Sequence, residues 1–147
     1  MNTPTTKAWY NEIYKEWGLL VTEDWCFPNV NGGYHTVPSG FWYNGGSIPA
    51  IFWQLTYDPY HPILLAPTLA HDWAYCSHCM SRSDADDTLR YLLGCMKASS
   101  LKSAAIKSAV HVFGESFYER DRKDFLYLSV LRSQIVESGR SLAKYGI

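Results

Sequence analysis

The stretch from Ile63 to Met80 constrains this chain most. It reads as one buried helix, irregular near Pro67, that carries His71-Asp72-Trp73-Ala74-Tyr75 in its second half. The chain has 147 residues, 47% of them apolar. That is enough to bury one core without staples, so a single domain over residues 1–147 is expected, organised around this helix.

Upstream, Trp9, Ile13 and Trp17 recur at steps of four, with Thr5 or Thr6 available as a cap, and predict a short amphipathic helix over 5–17 that Gly18 ends. From Leu19 to Phe27 the apolar residues Leu19, Val21, Trp25 and Phe27 alternate with polar ones, the period of a half-buried strand. The turn formers from Pro28 to Gly33 then return the chain as a second strand at Tyr34 to Val37, making a hairpin. Ser47 and Pro49 predict a short helix at about 49–55, and two prolines within 57–62 break it.

Downstream of the central helix, Ser83 is the expected cap of a helix with Asp86 at its third position and Leu89, Leu92, Leu93 and Met96 on its apolar face. A further helix is expected over about 102–120, with Ile106, Val110, Phe113 and Phe117 one turn apart, and a last one over about 124–143. The expected class is α+β: a small antiparallel hairpin or sheet on the N-terminal side, followed by a bundle of four to five helices.

Several function classes are disfavoured. Thirteen basic residues against fourteen acidic ones give a formal charge of -1, too little positive charge for binding nucleic acid through its phosphates. No apolar run is long enough to span a bilayer, so a soluble protein is expected. Met1 to Lys15 contains Glu12 and no apolar core of a secretory signal. Without an export signal, Cys26, Cys76, Cys79 and Cys95 are read as reduced.

Within a helix, His71 and Tyr75 lie four apart and Asp72 and Tyr75 three apart, so the three side chains can converge on one rim. Imidazole can take a proton from water, a carboxylate can hold a hard cation, and a phenol can orient either one. If the next helix packs antiparallel, Asp86 can reach the rear nitrogen of His71 and fix its tautomer. The competing reading makes the same residues a polar brace, with Asp72 and Asp86 capping or pairing with Arg82 and Arg90.

Cys76-Ser77-His78-Cys79 has the spacing that can begin a zinc site, but only Cys95, His71 or His78 could complete it, so zinc is disfavoured. Gly45-Gly46 has a plain structural reading as a tight turn feeding the Pro49 helix. Trp42, Tyr43 and Ile51-Phe52-Trp53 flank those glycines and could seat an acyl chain or another protein. His35, His61 and His111 are left as surface or core residues.

Three ordered motifs carry a resemblance: Val37-Pro38-Ser39-Gly40-Phe41 through Ser47-Ile48-Pro49, then Ala70-His71-Asp72-Trp73-Ala74-Tyr75, then Ser81-Arg82-Ser83-Asp84-Ala85-Asp86. Over about residues 19–114 the chain resembles the DUF1353 family of phage and prophage proteins, which has no assigned activity. That family often has an acidic residue where this chain has Asn44, so no charge-dependent role is expected there; Asn44 is a candidate binding residue, as are Trp42 and Trp53 on the aromatic rim. The resemblance implies a phage or prophage origin, with the protein acting in the infected host cytoplasm or in the virion.

At the level of the site, His-Asp-x-x-Tyr on one helix with an Asp on the next is similar to the catalytic arrangement of secreted and parvoviral phospholipases A2. This likeness implies His71 as the base that activates water, Asp72 as a calcium ligand, Tyr75 as a supporting donor and Asp86 as the partner of His71. Backbone carbonyls near Gly45 and Gly46 would complete the calcium shell. The expected partner is then phospholipid. The alternative is a non-catalytic virion or tail accessory, or a binder of a host or phage protein.

Overall fold

A computed structural model describes residues 2–11, 15–43, 57–58 and 61–123. Among these, β1 (Thr6–Asn11), β2 (Glu16–Val21), β3 (Trp25–Pro28), β4 (Tyr34–Val37) and β5 (Trp42–Tyr43) precede α1 (Pro62–Ser77), α2 (Arg82–Cys95) and α3 (Ser100–Lys123). Strands and helices are segregated along the chain, but the expected layout of one hairpin and four to five helices is overturned. Among the described residues, five strands in two sheets are followed by three helices. The helices expected at 49–55 and 124–143 lie outside the described residues.

The main correction is at the N-terminus, where residues 5–17 form a hairpin arm instead of a helix. β1 and β2 pair antiparallel, with Trp9 opposite Gly18 and Tyr10 opposite Trp17. A step of four is a multiple of the strand period as well as close to one helical turn, so Trp9, Ile13 and Trp17 cannot tell the two apart. What decides is the backbone pairing of β1 with β2 and of β2 with β5, since neither Trp9 nor Trp17 is buried. Trp17 is 65% exposed and packs edge-on to Tyr10 across the strands at 5.6 Å, while Trp9 lends its carbonyl to Nε1 of the Trp42 indole at 3.2 Å.

Gly18, expected to stop a helix, sits in mid-strand because the Trp42 ring lies against it. A Cβ there would collide with the indole. β5 pairs with the other edge of β2, Leu19 opposite Tyr43 and Leu20 opposite Trp42, and closes a three-stranded sheet in the order β1-β2-β5.

The single strand expected over 19–27 is two strands in different sheets, interrupted at Thr22 to Asp24. The Thr22 amide donates to the Thr5 carbonyl, and Ser39 donates from its hydroxyl to the Thr22 carbonyl and from its amide to Asp24. The alternation survives the break, since Val21, Trp25 and Phe27 are all buried. The β3-β4 hairpin forms where expected, with Pro28 opposite Tyr34. Its turn needs positive φ at Gly32 (84°) and Gly33 (83°), which a residue without Cβ adopts freely.

The two sheets cover one side of α1. Val21, Trp25, Phe27, Val37, Phe41 and Trp42 form a cluster with Ala66, Leu69, Ala70 and Trp73, and Phe41 meets Trp73 edge-on at 5.3 Å. Burying each large side chain of this kind contributes ~1.5–3 kcal/mol relative to exposure. Leu64, Leu89, Leu93, Ile106 and Val110 join the three helices to one another. α1 is therefore enclosed along most of its length, as its composition led one to expect. None of the helices in the described residues is long and apolar enough to cross a membrane.

Candidate active site

α1 opens with Pro62 at its first position, behind a His61 cap whose Nδ1 accepts from the Ile63 amide. It ends three residues earlier than expected: His78 turns left-handed at φ 52° and its amide closes on the Ala74 carbonyl. The His78 ring then stacks on Tyr118 of α3 at 3.7 Å. Cys76 and Cys79 consequently do not share a helical face. Among the described residues no group of three or more His, Cys, Asp or Glu side chains converges.

The cap of α2 stands two residues before the expected one. Ser81 is the cap, its hydroxyl accepting from the Asp84 amide at 3.1 Å. This shift in frame matters for the site. With Ser83 as cap, Asp86 would stand in the first turn, where carboxylates serve the backbone; in the observed frame it is released to face α1.

Asp86 is 1% exposed, and its Oδ1 lies 2.9 Å from His71 Nε2 and accepts from the Tyr75 hydroxyl at 2.6 Å. A carboxylate accepts only, so the proton of the imidazole belongs on Nε2, and Nδ1 is left as the nitrogen that can take another. His71 is 3% exposed and its ring lies 4.0 Å from that of Tyr75. Burial first, and then the hydrogen bond to Asp86 and its negative charge, push the Tyr75 phenol far above its ordinary pKa, while Arg82 pulls the other way. Tyr75 therefore stays a donor over the whole working pH range.

Three of the expected site residues, His71, Tyr75 and Asp86, are thus brought together, and the fourth, Asp72, follows His71 directly and is 8% exposed. Trp42, offered as a binding residue, is buried at 5% exposure over Gly18. Asn44, Gly45, Gly46 and Trp53 lie outside the described residues. Asp86 does not take the arginine partner of the brace reading; Arg82 instead donates to the His111 carbonyl on α3 at 3.0 Å.

Two contributors escaped the sequence reading. Gly114 lets α3 approach, since a Cβ there would fall 2.5 Å from the Tyr75 hydroxyl; a glycine inside an apolar helical repeat was the available signal. The other is a cavity of about 350 Å³ that Asp86 lines from α2 together with residues of α3. It depends on how the two helices pack, and nothing in either segment alone announces it. The second oxygen of Asp86, Oδ2, is buried without a hydrogen-bond partner among the described residues.

Comparison with curated proteins and with solved structures gives no match. The family comparison does, over residues 19–110, a span that takes in His71, Asp72, Tyr75 and Asp86. The chain belongs to the DUF1353 family, described as proteins of unknown function.

Proposed function

We propose that this protein is a calcium-assisted hydrolase of carboxylic esters, with phospholipid as the substrate class, encoded by a phage or prophage and acting in the infected cell or in the virion. The observation that carries the reading is the double engagement of Asp86 Oδ1 by His71 and Tyr75. A carboxylate held this way fixes the imidazole tautomer and stabilises the imidazolium that forms when Nδ1 accepts a proton.

His71 Nδ1 takes a proton from water as the oxygen of that water bonds to the ester carbonyl carbon. The same proton passes to the leaving oxygen as the carbon–oxygen ester bond breaks, giving a carboxylic acid and an alcohol. Tyr75 donates to Asp86 throughout and keeps the carboxylate aimed at Nε2. Asp72 offers hard oxygen donors beside the base, which suits calcium better than a thiophilic ion. Carbonyls of Gly45 and Gly46, outside the described residues, would complete its shell. Calcium held there would polarise the ester carbonyl and offset the charge that develops on its oxygen.

The test is turnover of fluorescent phospholipid vesicles with calcium present. Calcium-dependent hydrolysis that falls by roughly 10²–10⁴-fold in a folded His71→Gln variant is expected. Equal turnover in that variant, or none in the parent chain, would overturn the reading.

The near-complete burial of His71, Asp86 and Tyr75 favours a second reading, a non-catalytic virion or tail accessory or host-factor binder in which the three residues brace α1 against α2. That reading expects no turnover together with a large loss of stability on His71→Gln.

A further inference from the structure

Among the described residues two charged groups act on Tyr75, and they make opposite demands on its hydroxyl. Asp86 Oδ1 accepts its proton at 2.6 Å. Arg82 acts on the phenol through its positive charge and through a hydrogen bond, both opposing the rise that burial and Asp86 produce. Gly114 of α3 marks where the groups meet. A Cβ there would stand 2.5 Å from the Tyr75 hydroxyl and 3.5 Å from Arg82 Nη1, so phenol and guanidinium share the space that the absent side chain leaves.

Arg82 is held there by α3 itself. It opens α2, is half-buried, and donates from Nη1 to the His111 carbonyl at 3.0 Å. A guanidinium is a donor only and keeps its charge at every working pH. The oxygen of Tyr75 can therefore only accept from Arg82, and its one proton is left to Asp86. His71 Nε2, 2.9 Å from the same Oδ1, completes a chain of one polarity, from Arg82 to Tyr75 to Asp86, met by His71 from the other end. Neither charged group can reverse its part, because the carboxylate has no proton to give and the guanidinium no lone pair to offer.

We propose that Arg82 is a positioning residue for His71: a permanent donor beside Tyr75 that commits the phenol proton to Asp86 and so keeps that carboxylate aimed at the imidazole. Its hold on the His111 carbonyl ties this order of protons to the seating of α3, and Gly114 provides the room. The role of His71 as base comes from the hydrolase reading, on which this inference rests at that point alone; the order of protons belongs to the resting protein and requires no turnover.

The experiment is proton NMR of the full chain, following exchange with water of the Tyr75 hydroxyl and His71 Nε2 protons in the parent, in Arg82→Met and in Arg82→Lys. Methionine fills much of the same space without donor or charge, and lysine keeps both. The two protons are expected to be protected in the parent and to exchange about tenfold or more faster in Arg82→Met, the worth of one charged hydrogen bond, while the amide protons of α1 and α2 are unaffected. Arg82→Lys should recover most of the protection. An unprotected Tyr75 hydroxyl in the parent, unchanged exchange in Arg82→Met, or a lysine variant as poor as the methionine one would overturn the proposal. So would backbone amides that speed up in step, which would make Arg82 a tether between α2 and α3 and nothing more. Faster exchange of the two side-chain protons in a chain that hydrolyses no phospholipid would keep the positioning role and remove the hydrolase reading.

Discussion

His71 and Asp86, fifteen positions apart on two helices, meet at 2.9 Å between Nε2 and Oδ1 with both side chains withdrawn from water. Removing the acid strands an imidazole N–H and a phenol O–H in the interior. Asp86→Ala should cost ~2–6 kcal/mol of unfolding free energy, from ~1–3 kcal/mol for each stranded donor, read from urea denaturation. A loss under ~1 kcal/mol would mean that the pair contributes little and that water enters freely.

Tyr75 donates to that same oxygen and has its pKa raised by burial first and by Asp86 second. Tyr75→Phe should lose ~1.5–3 kcal/mol at neutral pH, the worth of a hydrogen bond to a charged acceptor.

The alkaline limb follows with a definite sign. The folded chain holds the Tyr75 proton above the ordinary value of 10.0 at which the unfolded phenol releases it, so the contribution of Tyr75 to stability is constant through neutral pH and is lost as pH rises past about 10. The chain has eleven tyrosines, so the comparison with Tyr75→Phe isolates this one. Its stability should decline less steeply over the same window, and identical slopes would show that Tyr75 ionises equally in both states.

Gly18 lies against the Trp42 indole in the β2-β5 pair. Gly18→Val should cost ~1–3 kcal/mol by overpacking and should shift tryptophan emission to longer wavelength as Trp42 is expelled. An unchanged spectrum with unchanged stability would mean that the sheet opens at no cost.

The cap of α2 offers a paired test. Ser81→Ala should lose ~0.5–2 kcal/mol, whereas Ser83→Ala, beyond the cap, should change stability by less than ~0.5 kcal/mol. The reverse order would restore the capping frame read from the sequence.

What the sequence determined by itself was local. Three-to-four spacing puts His71 and Tyr75 on one face of α1 wherever that helix forms, and the run of turn formers from Pro28 to Gly33 places the turn of the β3-β4 hairpin. The apolar periods at Leu89, Leu92 and Leu93 and at Ile106, Val110 and Phe113 likewise specify helices, since steps of three mixed with steps of four fit one face of a helix and not one face of a strand.

Tertiary structure decided the rest. Whether Trp9 and Trp17 ride on a helix or on paired strands depended on whether β5 was present to seat Trp42 over Gly18, a contact between segments far apart in the chain. Whether Asp86 served a helix end or the His71 ring depended on a two-residue choice of cap, settled by which side chain the packed helices needed between them. The cavity lined by Asp86, Asp87 and Arg90 of α2 and by Ala104, Lys107 and His111 of α3 exists only because the two helices pack together at that point. Periodicity encodes which face is buried; only packing determines what that face is buried against.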